Sequence, residues 1–390
     1  MRAAGPGAVV IGGDHQGLGI MRSLGRHGIP ICVIDDEPSI ARYSRYTTHA
    51  LGRQLLNGDE AVVASLCEAH ARWGLQGWVV FPTRDQTVGS LSRVRDRLTS
   101  RYRIPTPPFD VVAKAWDKRL TYELAASLGL AAPRTWRLQS LADLCDVDEL
   151  PPYAVKPAIK EHFMVATHDK AWRADSRAEL EALVRRATDI IPIDEVLVQE
   201  IVPGGGDHQF SYCCLRWDGA TVASMTVRRL RQHPPEFGRA STFVETIESA
   251  EVAAAAENFL SAIGFEGLVE VEFKYDDRTR EYKLLDVNPR TWGYHTLGAA
   301  SGVDFAYLLF RLATGRTVTP AAAVPGMRWV RLATDLPMAA MEMRHGRIRP
   351  GAYVASLRSA DTESVFCRDD RRPALAELAL LPYLAVSRGI

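Results

Sequence analysis

Short apolar runs alternate with amphipathic stretches near the start of the chain. Ala8–Ile11 is an uninterrupted apolar run, glycines follow it, and Leu18, Met21 and Leu24 then recur at helical spacing. A second apolar run, Pro30–Asp36, ends in acids. This order of buried strand, glycine turn, helix and strand predicts an α/β unit with parallel strands.

The same two periodicities continue along the chain and predict the remaining elements. Strands are predicted at Gly77–Pro82, Tyr153–Pro157, Glu195–Ile201, Phe210–Trp217, Ala220–Val227, Leu268–Tyr275 and Tyr282–Asn288. Helices are predicted at Trp116–Leu128, with Leu120, Leu124 and Leu128 on its buried face, and at Ser176–Ala187, Ala250–Ile263 and Asp304–Ala313. The tail from about Pro320 is less regular, and we interpret its charge cluster Arg368–Arg372 as a solvated turn without function.

Composition limits the class of protein. The chain has 390 residues, of which 47% are apolar and 24% charged, as in an ordinary folded protein of several domains. Lys plus Arg and Asp plus Glu both number 47, so the formal net charge is zero. A neutral chain disfavours bulk binding to nucleic acid or to an anionic membrane. We therefore expect neither partner.

Several common sites are absent from the sequence. It contains no GxxxxGK[ST], HExxH or GxSxG motif. Its six cysteines are scattered without a CxxC pair, which disfavours a zinc site or a disulfide framework. No apolar run approaches the roughly 18 residues of a membrane span. We expect a cytoplasmic protein with reduced thiols.

The most informative segment is Glu270–Arg290, where acids follow a strand period. Glu272 lies on the polar face of the first predicted strand, and Asp286 and Asn288 share one face of the second. If the strands pair as a hairpin, two carboxylates and a carboxamide converge, which suits Mg²⁺. Arg290 then adds a permanent positive charge. The alternative is an ordinary solvent-facing acidic strand pair.

The motif LLDVNPR, preceded by VEVEF, resembles the metal hairpin of the ATP-grasp superfamily, especially its carboxylate–amine ligases of the D-aspartate ligase type. The resemblance implies an α/β fold with a Rossmann-like domain before a two-lobed ATP-grasp module and a C-terminal extension. The implied boundaries are 1–110, a small lobe at 111–190, a large lobe at 191–316, and 317–390. It also implies that Glu272 and Asp286 hold Mg²⁺, with Asp286 bridging and Asn288 completing one site.

Further landmarks resemble the nucleotide cleft of that family. Lys118, in WDKRLTYELAASLG, and Lys156, in YAVKP, resemble its phosphate-binding lysines. VQEIVPGGGD resembles its adenine hinge. The resemblance implies that ATP is held by Gln199, Glu200, Ile201 and Val202 at the base, with Asp207 on the ribose.

Two departures from the family pattern concern the phosphate end. The segment AIKEHFMVAT after Lys156 lacks a Gly/Ser-rich lid, so Lys160, His162 or Lys170 are candidates to close over the phosphates. D-alanine ligases carry an arginine two positions before the first metal ligand, where this chain has Glu270. The missing charge would then come from Arg290, Arg228 or Arg229, which we take as the candidate catalytic residues.

The segment VRRLRQHPPEFGRAST is locally basic through Arg228, Arg229, Arg231 and Arg239. Guanidinium groups match carboxylates and phosphates, so this strand is the candidate for the substrate carboxylate or the acyl phosphate. The alternative is a strand of ordinary surface arginines.

The implied activity is ADP-forming ligation of a small carboxylic acid to an amine, with amino acids as candidate substrates and a homodimer as a candidate assembly. Three alternatives stay open. The glycine turn GGDHQGLG and Asp35 favour a nicotinamide-dependent oxidoreductase, although the spacing fails GxGxxG. An ATP-binding regulator and a kinase-like enzyme are the others. The residues do not identify the acid or the nucleophile.

Overall fold

A computed structural model describes residues 5–53, 55–148, 151–234, 237–238 and 240–388. Within these ranges the strands form three sheets. No helix in the described part of the chain is long and apolar enough to cross a membrane.

The N-terminal unit contains a five-stranded parallel sheet of order β3-β2-β1-β4-β5. Its central strands are buried on both faces, as parallel sheets covered by helices require. The predicted Rossmann-like arrangement is confirmed. Its elements are β1 (Ala8–Ile11), α1 (His15–Arg26), β2 (Ile31–Asp35), β3 (His49–Gly52), α2 (Asp59–Trp73), β4 (Trp78–Pro82), α3 (Asp85–Leu98) and β5 (Tyr102–Arg103).

The next unit contains a four-stranded antiparallel sheet of order β6-β9-β7-β8. Its elements are α4 (Phe109–Trp116), α5 (Lys118–Ser127), β6 (Thr135–Arg137), β7 (Tyr153–Pro157), α6 (Lys160–Thr167), β8 (Trp172–Ala174), α7 (Arg177–Thr188) and β9 (Val196–Glu200). Strand β9 pairs with β6 and β7, so we extend the proposed small lobe from residue 190 to about residue 200. The other domain boundaries stay predictions.

One predicted helix begins two residues late. The expected helix Trp116–Leu128 is divided at Asp117, whose carboxylate accepts a hydrogen bond from the amide of Arg119 and caps α5. Leu120, predicted on the buried face, is 40% exposed. The break matters because it places Lys118 at the first position of a new helix.

The third unit is an eight-stranded sheet of order β14-β13-β10-β11-β12-β16-β17, with β15 paired to β11. Its first part comprises β10 (Gln209–Trp217), β11 (Ala220–His233), β12 (Ala240–Ile247), α8 (Ala250–Ala262), β13 (Gly267–Asp276), β14 (Glu281–Asn288), α9 (Thr296–Ala300) and α10 (Phe305–Ala313). Its second part comprises β15 (Ala321–Ala322), β16 (Arg328–Val330), α11 (Leu332–Arg344), α12 (Pro350–Arg358), β17 (Thr362–Glu363) and α13 (Arg372–Arg388).

The predicted alternation in β13 determines which side chains reach the cleft. Val269, Val271 and Phe273 are buried in one apolar cluster with α8. Glu270 and Glu272 point to the opposite face, because neighbouring side chains of a strand alternate. The same strand therefore supplies both core and site.

The tail cluster Arg368–Arg372 is not a solvated turn, and that interpretation was wrong. Asp370 is buried and accepts hydrogen bonds from Arg22 Nε at 3.0 Å, Ser44 Oγ at 2.7 Å and the amide of Arg45 at 2.9 Å. Arg22 also donates to the Asp370 carbonyl. The tail thus returns to the N-terminal unit and is held there by a buried ion pair.

We expect Asp370→Asn to lower the free energy of unfolding by about 3 kcal/mol, because it leaves Arg22 buried without its acid. Asp369→Asn is the matched control, since Asp369 is 40% exposed and pairs with the half-exposed Arg26. Its loss should cost less than about 1 kcal/mol. Urea denaturation followed by circular dichroism compares the variants, and equal effects would contradict this account.

Candidate functional site

The paired strands β13 and β14 bring four polar side chains to one face. Glu272 lies opposite Asp286, and Glu270 lies opposite Asn288. Glu270, Glu272 and Asn288 are buried. The hairpin predicted from the strand period is therefore present, and its acidic positions are paired directly, with a register shift just after Glu272.

Two cations hold the central acids. Lys118 Nζ lies 2.8 Å from Asp286 Oδ1, and Arg229 Nη2 lies 3.2 Å from Glu272 Oε2. Burial raises the pKa of the Asp286 carboxyl, but the charges of Lys118 and Lys160 outweigh burial and lower it to about 2. Burial is likewise outweighed by Arg229 at Glu272, whose pKa is lowered. Both acids are ionised at neutral pH.

Behind them, Glu270 occupies a different environment. Burial and the neighbouring charge of Glu272 raise the pKa of Glu270 to about 7. The hydroxyl of Tyr294 donates to one of its oxygens. Asn288 Nδ2 donates to Glu270 Oε2 at 3.1 Å and to Glu272 Oε1 at 2.8 Å. The carboxamide therefore connects the two glutamates.

The donor set can be tested against Mg²⁺. Among the described residues, no three carboxylate, imidazole or thiol groups come close enough to hold an ion by themselves. Mg²⁺ in nucleotide sites usually takes one or two carboxylates, and phosphate oxygens and waters complete its shell. Glu272, Asp286 and Asn288 fit such an ion if it arrives with a phosphate-bearing ligand.

A cavity of about 640 Å³ separates the hairpin from the four-stranded sheet. Its size suits a small-molecule ligand. It brings together most residues that the sequence indicated: Lys118, Lys156, Gln199, Glu200, Ile201, Val202, Glu272 and Asp286 line it, as do Lys160 and Lys170.

Lys156 stands in this cavity with neutral partners. Its Nζ lies 2.8 Å from the Tyr122 hydroxyl and 2.6 Å from Gln199 Oε1. Burial, together with the charge of Lys118, lowers the pKa of Lys156 to about 7. Lys170 donates to the Gly238 carbonyl at 3.1 Å, and burial lowers its pKa to about 8.

At the other end of the cavity the acid of Glu200 is held by basic groups. Lys283 Nζ lies 2.5 Å and Arg278 Nη2 lies 3.2 Å from its carboxylate oxygens. The amide of Arg134 also donates to it. The side chain is thereby fixed at the end of β9, where the chain turns into Ile201 and Val202.

Several sequence candidates lie elsewhere. Asp207 is 63% exposed, pairs with His208, and is not among the described residues that line the cavity. His162 is half-exposed and pairs with Glu195. Arg228 pairs with Glu245 at 3.2 Å, on the face of β11 opposite to Arg229.

The other arginines of the basic segment 227–242 do not all face the hairpin. Arg231 makes a two-pronged ion pair with Asp335 on α11, so it fixes the C-terminal helices. Arg239 lies outside the described residues. Of the basic segment, Arg229 alone is shown in contact with a hairpin acid, within the described residues.

The sequence pattern did not indicate Asp85, which contacts two cations beside the hairpin. Asp85, the first residue of α3 in the N-terminal unit, lies 2.7 Å from Arg290 Nε and 2.5 Å from Lys160 Nζ. Burial raises the pKa of Asp85, but Arg290 and Lys160 hold it well below its usual value. The sequence could have indicated Asp85 by its position just after the predicted strand β4, because ligands commonly bind at the carboxyl ends of parallel strands.

The glycine turn does not form an open diphosphate site. Asp35 Oδ2 accepts a hydrogen bond from the Gly13 amide at 2.6 Å, and Oδ1 lies 3.0 Å from Arg84 Nη2. A carboxylate on the turn amide repels a diphosphate. Gly17 allows α1 to pack closely against the turn, since a Cβ there would lie 2.1 Å from the Gly12 carbonyl oxygen. This geometry disfavours the nicotinamide alternative.

Comparison with known proteins agrees with the resemblance. A family model described as "ATP-grasp in the biosynthetic pathway with Ter operon" matches residues 193–334. The chain is 21% identical to D-aspartate ligase from Enterococcus faecium, over 72% of this chain and 70% of that protein. It is 24% identical to the carbamoyl phosphate synthase large chain of Thermomicrobium roseum, over 80% of this chain. It spans 30% of that relative's length.

Solved structures share the fold. N5-carboxyaminoimidazole synthetase from Staphylococcus aureus, complexed with ADP, superposes with a TM-score of 0.65 and 14% identity. The match covers 87% of this chain and 86% of that one. The predicted fold class is confirmed. The chain is therefore similar to ATP-grasp enzymes over residues 193–334 and shares the fold of N5-carboxyaminoimidazole synthetase.

Proposed function

We propose that this protein is an ATP-dependent ligase that activates a carboxylate as an acyl phosphate, releases ADP, and joins the acyl group to an amine. The proposal rests on one observation: one cavity is lined by Lys118, Lys156, Glu272 and Asp286. The ADP in the S. aureus structure and the relation to D-aspartate ligase support the proposal.

In this proposal the base of ATP lies against Gln199, Glu200, Ile201 and Val202. Lys118 and Lys156 bind the phosphates, and Lys160 and Lys170 take the place of the missing Gly/Ser-rich lid. Asp207 remains our proposed ribose ligand, for which it must leave His208 and turn towards the cavity.

Glu272, Asp286 and Asn288 would hold Mg²⁺, which, when bound, neutralises charge on the phosphoryl group in transfer. Lys118 can donate to a phosphate oxygen while it holds Asp286, because the ammonium group has three donors. Arg290 and Arg229 supply fixed positive charge at the hairpin, where negative charge develops on the acyl oxygen. The proposed catalytic role of Arg228 requires it to leave Glu245 and to turn from the opposite face of β11.

The reaction requires positioning and charge without a side-chain nucleophile. A carboxylate oxygen attacks the γ-phosphorus, and the bond to the β–γ bridging oxygen breaks to give ADP. The amine nitrogen then attacks the acyl carbon, phosphate leaves, and the nitrogen loses a proton. Phosphate is a far better leaving group than oxide, so activation replaces one hard step with two easier ones. Amino acids are our proposed acid and amine substrates.

The lowered pKa of Lys156 predicts that nucleotide binding takes up a proton. Above pH 7 the free lysine is largely neutral, and a bound phosphate restores its charge, so affinity should fall by up to about tenfold per pH unit as pH rises. Calorimetry of a non-hydrolysable ATP analogue with Mg²⁺ at pH 8, in buffers of different ionisation enthalpy, measures the uptake.

Lys156→Met should remove most of this uptake, and Lys114→Met, at an exposed position of α4, should leave it unchanged. Unchanged uptake in Lys156→Met would contradict the assignment. Absence of any binding by the wild type, with or without Mg²⁺, would contradict the proposed function.

The activity itself is tested by screening acid and amine pairs for ADP release, with mass spectrometry of the products. ADP release should depend on both substrates. Asp286→Asn should keep the fold but reduce the rate about 10²–10³-fold, because it removes charge that stabilises the phosphoryl group in transfer. Glu281→Gln, at an exposed position of β14 in the same hairpin, is the control and should be fully active.

Other outcomes identify the alternatives. ADP release without acid or amine dependence, or no release with tight ATP binding, would indicate a regulator. A stable phosphorylated product would indicate a kinase-like enzyme. An unchanged rate in Asp286→Asn at saturating Mg²⁺ would exclude the proposed role of Asp286.

A further inference from the structure

The side chain of Asp85 is placed where all three units meet. It belongs to α3 of the N-terminal unit, is 6% exposed, and uses both carboxylate oxygens. Oδ2 accepts from Lys160, the first residue of α6 beside the four-stranded sheet. Oδ1 accepts from Arg290, just beyond the end of β14 in the large sheet. One acid thus fixes two cations from different units.

Both cations have other acids within reach. Lys160 Nζ lies 3.7 Å from Glu161, its neighbour in α6. Arg290 lies in the field of Glu270 and Glu272, and its Nη2 is already 3.3 Å from Asn288 Oδ1. Without Asp85, electrostatic attraction would draw each cation towards its own unit. The carboxylate of Asp85 therefore opposes the separation of Lys160 and Arg290.

The position of Asp85 relative to the cavity defines its role. Lys160 lines the cavity, whereas neither Asp85 nor Arg290 is among the described residues that do. The acid therefore lies behind Lys160 and does not occupy the ligand's space. A lysine ammonium has three donors, so Lys160 can bind Asp85 and a ligand anion together.

Stability alone is a weak reason for this arrangement. Taking an acid and two cations out of water costs about as much as their attraction returns, so buried ion pairs add little net stability. What such a group supplies is a fixed geometry. In transfer reactions, displacement of a charged group by about 1 Å can cost about 10²-fold in rate.

Resting on the proposed function, we propose that Asp85 is a positioning residue that holds Lys160 against the phosphoryl group passing from ATP to the substrate carboxylate, while Arg290 anchors the other oxygen of the acid. The N-terminal unit would then contribute directly to the phosphate end of the cleft. Lys160 would bind the γ-phosphate from the cavity side, with Asp85 holding it from behind.

The test compares binding of ADP and of a non-hydrolysable ATP analogue, both with Mg²⁺, by calorimetry. Asp85→Asn should leave the ADP affinity unchanged and lower the preference for the analogue over ADP by about tenfold, the contribution of one charge-assisted hydrogen bond. A merely structural ion pair would not change this ratio. With substrates present, kcat should fall, and KM for ATP should rise in step with the weaker binding of the analogue.

Asp59→Asn is the matched control. Asp59 is also the first residue of a helix in the same unit, and it pairs with an arginine, Arg93, at 2.8 Å. Neither residue is among the described residues that line the cavity. This variant should bind both nucleotides as the wild type does.

The outcomes separate the explanations. An unchanged ratio in folded Asp85→Asn would overturn the proposal and leave a structural ion pair. A raised preference for the analogue would also overturn it, by showing that Asp85 competes with the phosphate. If Asp85→Asn does not fold, Lys160→Gln gives the same test, and an unchanged ratio there would equally overturn the proposal. Failure of the wild type to bind either nucleotide would instead overturn the proposed function.

Discussion

The structure of the cleft depends on one constraint: buried charges must be paired. Asp286 is paired with Lys118, and Glu272 is paired with Arg229. Asp85 is shared by Lys160 and Arg290. Each acid takes at least one cation from a distant part of the chain. Removing one member would leave the other charged in a poorly hydrated site, which lowers the free energy of unfolding. The pairing therefore joins α5 to the hairpin and the N-terminal unit to Lys160 and Arg290.

The same pairing makes the cleft responsive to an anionic ligand. Lys118 and Lys160 each hold one acid and can donate to a phosphate as well, while Lys156 has neutral partners and a pKa lowered to about 7. The polyphosphate of a bound nucleotide would supply the negatively charged partner that Lys156 lacks. A metal ion at the hairpin would supply the charge that Asp286 and Glu272 now receive from cations. Nucleotide binding would then exchange charge partners without leaving a buried charge unpaired.

The hairpin and its acids could be predicted because a strand period of two residues determines which side chains share a face, and pairing follows from a short turn. Contacts between distant segments could not be predicted in this way. The sequence pattern near Asp85 shows only an acid after a strand, and Asp370 lies in a charge cluster typical of solvated turns. Arg228 and Arg229 look equivalent in the sequence, but alternation sends them to opposite faces, where they meet Glu245 and Glu272. Asp207 follows glycines at the expected spacing, yet in the structure it pairs with His208.

The central claim is that this charged cleft transfers the terminal phosphoryl group of ATP to a carboxylate. Turnover with a substrate labelled with ¹⁸O in its carboxylate tests it most directly, because the acyl phosphate route moves one carboxylate oxygen into the released phosphate. The account predicts one ¹⁸O in each phosphate and none in ADP. Phosphate without label, together with label in AMP or in an adenylate, would show attack at the α-phosphorus and contradict the account.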